Sequence, residues 1–137
     1  MANKLKKDYE EENNFTYDCV IRARFDLHYN TPIIINDYID ILKDKIVVPK
    51  NYQDDQDKFS KIEGTYPFKP MVDIFAFSSS KNMDIFCSVF PNLKNINTEI
   101  HHPFGEVYLG YNTRIKNNVH LHKAPFDLTI LQRMGIV

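Results

Sequence analysis

Apolar and polar positions alternate most clearly between Tyr17 and Leu27. Cys19, Ile21, Ala23, Phe25 and Leu27 fall on one side, and Val20, Arg22, Arg24 and Asp26 on the other. This period of two predicts a strand with one core face and one face that turns charged toward its end. Upstream, Lys4 to Glu12 is rich in helix formers with Leu5 and Tyr9 four apart, which predicts a short surface helix with a narrow apolar stripe. Ile33 to Leu42 reads as a short helix, and Lys45 to Pro49 as a strand stopped by proline. Asn51 to Pro70 shows no usable period and reads as a long loop. Asp73 to Ser78 is a second strand, after which Ser79 or Ser80 offers a helix cap. Met83, Phe86, Val89, Phe90 and Leu93 give the following helix its apolar stripe, with Pro91 near its end. A helix from Phe104 to Arg114 and short strands at Val119 to His122 and Leu128 to Leu131 complete the chain.

Strands alternating with helices predict an α/β architecture, layered α/β/α around a mixed sheet, in a single domain over 1–137. In open sheets of that class, ligands bind beyond the carboxyl ends of the strands. Arg24 and Asp26 occupy such an end, and Ser78 to Ser80 another.

With 137 residues, 43% of them hydrophobic, the chain is long enough for one core and too short for two ordinary domains. A net charge of −1, from 17 basic and 18 acidic residues, gives no electrostatic footprint for nucleic acid. Met1 to Asn14 is polar and contains neither a signal-peptide core nor a membrane-spanning run, so no membrane insertion is expected. Cys19 and Cys87 sit in apolar runs as small hydrophobes, which fits reduced thiols and a cytoplasmic setting. Neither has a neighbouring base to depress its pKa, so nucleophilic catalysis by thiolate is not expected.

The charged end of the first strand has two readings. Arg22, Arg24 and Asp26 either form an ion pair that closes the sheet, or recognise a diphosphate through planar guanidinium donors and a cation-holding carboxylate. Asp54, Asp55 and Asp57 lack the glycine and distal glutamate of a calcium loop and read as solvated. Ser78 to Ser80 lacks a glycine-rich loop and lysine, which favours helix capping over phosphate binding. His120 and His122, with His101 and His102, lack further ligands at zinc spacing.

The ordered set Tyr17-Asp-Cys-Val-Ile-Arg-Ala-Arg-Phe-Asp-Leu27, Ile46-Val-Val-Pro49, Asp73-Ile-Phe-Ala-Phe-Ser-Ser79, Met83-Asp-Ile-Phe86 and His102-Pro-Phe-Gly-Glu106 resembles GT-A-type glycosyltransferases of the lipopolysaccharide type. The resemblance covers about residues 5 to 133 and corresponds to the C-terminal half of that fold. It implies transfer of a sugar from a nucleotide-sugar donor to a glycan or other hydroxyl acceptor. Arg24-Phe25-Asp26 stands where relatives carry Asp-x-Asp, with arginine in the first place, so Arg22, Arg24 and Asp26 are the expected diphosphate-binding residues. Asp26 and His122 are the expected ligands of a Mn or Mg ion. Asp73 and Glu106 are the candidates for acceptor binding or general base catalysis.

The resemblance also implies that the N-terminal nucleotide-binding portion is missing. The alternative is therefore a non-catalytic module that binds a glycan or protein through exposed aromatics such as Tyr66, Phe68, Tyr108 and Tyr111. An uncovered sheet edge makes a homodimer a further expectation.

Overall fold

The computed structural model describes residues 2–63, 70–100 and 104–131. Helix α1 spans Ala2–Asn13. It ends because Asn14 takes a left-handed backbone, φ 53°, which asparagine tolerates better than most residues. The Asn14 amide then donates to Glu11 O and the Phe15 amide to Glu10 O, and the Phe15 ring meets Tyr9 edge-on at 5.8 Å. These bonds and the accompanying ring contact form a Schellman cap.

Strands β1 (Val20–Ala23) and β2 (Leu27–Tyr29) follow, then a 3₁₀ segment Ile35–Ile41, β3 (Lys45–Pro49) and α2 (Lys50–Glu63). Next come β4 (Phe75–Ser78), α3 (Ser80–Cys87), α4 (Val89–Glu99) and α5 (Gly105–Gly110), the last continuing as a π-helical turn over Tyr111–Lys116. Strands β5 (His120–Ala124) and β6 (Leu128–Ile130) end the described chain. The fold is mixed α/β. Its four-stranded sheet runs β1-β4-β3-β5, with β4 antiparallel to both neighbours and β3 parallel to β5. β2 and β6 form a separate antiparallel pair.

The core gathers on the two interior strands. Ile46, Val47 and Val48 of β3 are 0% exposed, and every residue of β4 is buried. Phe75, Phe77, Phe126 and Tyr38 pack mostly edge-on around them at centroid distances of 5.5 to 5.9 Å. Rings in this arrangement set positive edges against negative faces, which adds to the burial itself.

Three expectations fail here. The strand expected over Tyr17 to Leu27 breaks into β1 and β2 at a turn through Phe25 and Asp26. Its faces are not those of the alternation: Ile21 is 52% exposed and Phe25 100%, whereas Asp26 is buried. β1 pairs only with β4 in its sheet, so its apolar residues have no second neighbour to cover them. The loop expected over Asn51 to Pro70 is helical as far as Glu63. Over residues 50–57 its buried side chains are Gln53 and Asp57, one turn apart, with Tyr52 half-buried against the core, so no apolar stripe marked this part. The single helix expected through Met83 to Leu93 is two helices that break at Ser88, and Pro91 lies in the first turn of α4. That place suits proline, because its missing N–H would have had no partner there.

The 3₁₀ segment, β3, the capped strand-to-helix step at Ser79, and β5 and β6 form where the sequence pattern places them. Among the described residues no helix is long and apolar enough to cross a membrane.

Candidate functional site

Because β1 and β4 are antiparallel, the carboxyl end of β1 meets the start of β4, which brings Arg22, Arg24, Asp26 and Asp73 together. The Arg24 amide donates to Ile74 O at 3.0 Å, and the Leu131 amide to Asp26 O at 2.9 Å, so the turn between β1 and β2 is braced from both sides. Within it, Arg24 Nε and Nη2 donate to the two carboxylate oxygens of Asp26 at 2.8 and 2.6 Å. This fork lowers the Asp26 pKa and raises that of Arg24, and the nearby Asp73 carboxylate pushes Arg24 further in the same direction. The ion pair closing the sheet end is thus formed. It occupies both oxygens of Asp26.

Arg22 is held differently. Its Nη1 donates to the backbone oxygen of Asp73, and its guanidinium lies 5.4 Å from the centroid of the Phe86 ring on α3. A cation over an aromatic face is attracted by the ring quadrupole, so the two contacts fix the head group. The Asp73 carboxylate is half-buried, and among the described residues no hydrogen-bond donor meets it.

Arg22 and Asp73 open onto a cleft of about 370 Å³, which is also lined by Asn3, Phe86, Phe90 and Tyr108. That volume lies in the range of small-molecule sites. Phe90 is 83% exposed, a ring face left to solvent beside a carboxylate and a guanidinium. A second hollow of about 350 Å³ adjoins along β1 and shares Asn3, Arg22 and Cys87. Burial raises the Cys87 and Cys19 thiols, so neither is an activated nucleophile.

The other sequence candidates lie elsewhere. Glu106 lies in the first turn of α5, gives its backbone oxygen to the Met71 amide at 3.0 Å, and faces a cavity of about 270 Å³ with Asp55, Gln56 and Phe104. Gly105 lines the Asp73 cleft, whereas Glu106 lines the other cavity, so the two carboxylates open onto different hollows. His122 lies on β5, at the sheet edge away from β1, with its ring edge-on to Tyr38 at 5.8 Å. No hydrogen bond or ion pair joins it to Asp26. Among the described residues no group of three or more His, Cys, Asp or Glu is arranged to hold a metal ion.

The serine run is structural. The Ser78 hydroxyl lies within hydrogen-bond reach of the Leu42 and Lys45 carbonyls and gives its one proton to either, Ser79 accepts from the Asn82 amide as helix cap, and Ser80 accepts from Lys6. Asn82 adds bonds to Leu42 O and Lys43 O, each 3.1 Å, and so ties the start of α3 to the segment before β3.

The acidic run at Asp54 to Asp57, expected to be solvated, instead lies on α2. Lys123 of β5 meets Asp54 at 2.6 Å and Asp57 at 2.5 Å. Of the expected surface aromatics, Tyr108 is buried, with its hydroxyl donating to Asn97, and Tyr111 donates to Glu99. Tyr66, Phe68, His101 and His102 lie outside the described residues. The sequence reading missed Phe90, which it placed in a core stripe; the helix break at Ser88 turns it outward. No protein-family model matches the chain, and neither a curated protein nor a solved structure is significantly similar to it.

Proposed function

We propose that the protein binds a carbohydrate ligand in the cleft between Arg22, Asp73 and Phe90 and acts there as a glycosyltransferase-like protein on a nucleotide-sugar. The observation that carries this reading is the Asp73 carboxylate, half-buried and without a donor among the described residues, on the wall of a cleft with an exposed aromatic ring. A sugar offers what those groups lack. Its hydroxyls donate to a carboxylate, and its C–H face covers an aromatic ring.

In this reading Asp73 accepts the proton of an acceptor hydroxyl as that oxygen attacks the anomeric carbon. The bond from that carbon to the diphosphate oxygen breaks, and the leaving group takes the electron pair. The Arg22 guanidinium, already oriented by Asp73 O and Phe86, stabilises the developing negative charge. A divalent cation would have to displace Arg24 from Asp26, so no step is assigned to one.

The Arg24–Asp26 fork favours a second reading. The two charges neutralise each other in place of a ligand, which suits a module that binds a glycan without turning it over.

A thermal-shift panel of free sugars and UDP-, GDP- and CDP-sugars, with and without manganese, tests both. Ligands that bind the native state raise the melting temperature. The expected result is a rise with at least one nucleotide-sugar that is lost in Asp73→Asn. A rise with free glycans alone supports the second reading. No rise with any ligand, or the same rise in Asp73→Asn, overturns the site.

A further inference from the structure

Helix α1 is attached to the body inside out. It has no buried residue, and its apolar Leu5 and Tyr9 are 69% and 52% exposed, whereas the face that meets the body carries Asn3, Lys6 and Glu10. Lys6 is the centre of that contact. Its ammonium lies 2.9 Å from Glu10 Oε2 and 2.9 Å from Asp84 Oδ1 on α3, and donates to Ser80 Oγ. Lys7 adds a weaker pair to Asp84 at 3.3 Å. Side-chain exposure of 11% for Lys6 and Glu10 and 24% for Asp84 shows that the ions are largely withdrawn from water.

The start of the same helix roofs the candidate site. Asn3 lines the Asp73 cleft, and Ala2, Asn3 and Lys6 line the adjoining hollow along β1. The cover over this groove is therefore fastened by charges and a hydroxyl, whereas β3 and β4 are fastened by apolar burial.

We infer that α1 is a lid over the Arg22–Asp73 cleft, latched by Lys6 to Asp84 and Ser80, that opens when the ionic latch is weakened. It rests on the proposed function only for what the cleft receives; the latch itself is a property of this chain without ligand. A detached helix of this length is marginal in water, so opening exposes its amides as well as the groove beneath.

Hydrogen exchange by mass spectrometry on the ligand-free protein tests this. Sodium chloride screens exposed pairs far more than a latch withdrawn from water, so substitutions at the latch carry the test and the salt is kept at about 0.05 M. The expected result is about tenfold faster exchange over residues 3–13 in Asp84→Asn than in wild type, a loss between those of an exposed and a buried ion pair. Ile46 to Val48 should keep its protection in both. Lys6→Gln should reproduce Asp84→Asn, and Lys4→Gln, which removes only the exposed Lys4–Asp8 pair, should not. Equal exchange of residues 3–13 in wild type and Asp84→Asn overturns the latch. Parallel loss of protection in β3 also overturns it, because α1 would then open only with the whole fold. Neither outcome bears on whether a sugar binds, which the thermal-shift panel decides separately.

Discussion

Replacing Gln53 by methionine should cost the fold about 3 kcal/mol. Gln53 is 0% exposed on α2. Its amide nitrogen donates to Pro70 O at 3.0 Å and to Asp57 Oδ1 at 3.1 Å, and its oxygen accepts from the Val72 amide at 3.1 Å. Methionine has nearly the same length and flexibility, so cavity and overpacking terms are small. Asp57 keeps Lys123 and loses little. The Val72 amide and the Pro70 carbonyl are left without this partner in a buried place, at about 1 to 3 kcal/mol each.

For a chain of this length, about 3 kcal/mol lowers the melting temperature by about 10 °C. Calorimetry and urea unfolding should agree, with an unchanged denaturant slope. Because the Pro70 to Val72 segment leads directly into Asp73, ligand binding should fall as well. A loss below about 1 kcal/mol would refute the claim that this one side chain fastens the segment to α2.

Asn82→Ala should destabilise by about 2 kcal/mol, read by the same unfolding experiments, since its amide joins α3 to the carbonyls of Leu42 and Lys43; a neutral result would mean that Ser78 alone holds that junction. Burial alone would raise the Glu10 carboxyl, but hydrogen bonds from Ser80 and the Tyr17 amide, and the Lys6 ammonium, outweigh it and hold the pKa at about 2. A carboxylate depressed in the folded state stabilises fully above its ordinary pKa of 4.5, and that contribution is lost as pH falls from there toward about 2. Carbon-detected NMR should find the Glu10 carboxyl titrating near the lower value, and a midpoint near the ordinary one would contradict the docked geometry. Phe90→Ala should leave stability within about 0.5 kcal/mol, because the ring is exposed. It should also weaken sugar binding about tenfold; unchanged affinity in calorimetric titration would remove Phe90 from the site.

Much of the framework was legible because apolar periodicity and its local punctuation agree. Proline ends β3, and Ser79 caps α3. What was not legible depends on tertiary neighbours. Alternation around Ile21 and Phe25 is that of a half-buried strand, yet β1 is a sheet edge and the chain turns at Phe25. Over residues 50–57 the helix α2 buries a glutamine and an aspartate, and polar burial leaves no hydrophobic stripe to mark it.

The candidate site was partly legible. Arg22, Arg24, Asp26 and Asp73 do meet, since two antiparallel strands join their ends. Glu106 and His122 face other neighbours, a matter of helix orientation and strand order that residue types do not disclose. The Phe90 surface depended on a helix break at Ser88 that the apolar stripe concealed.

Chemical-shift mapping of the isotopically labelled protein with the best ligand from the thermal-shift panel tests the central claim most directly. The account predicts that the largest perturbations fall on Arg22, Asp73, Phe90 and Tyr108, with the Asp73 carboxyl among the strongest and Asp73→Asn abolishing the pattern. Perturbations that centre on Glu106 and Asp55, or on His122 and Tyr38, and leave the Asp73 cleft unmoved would contradict it.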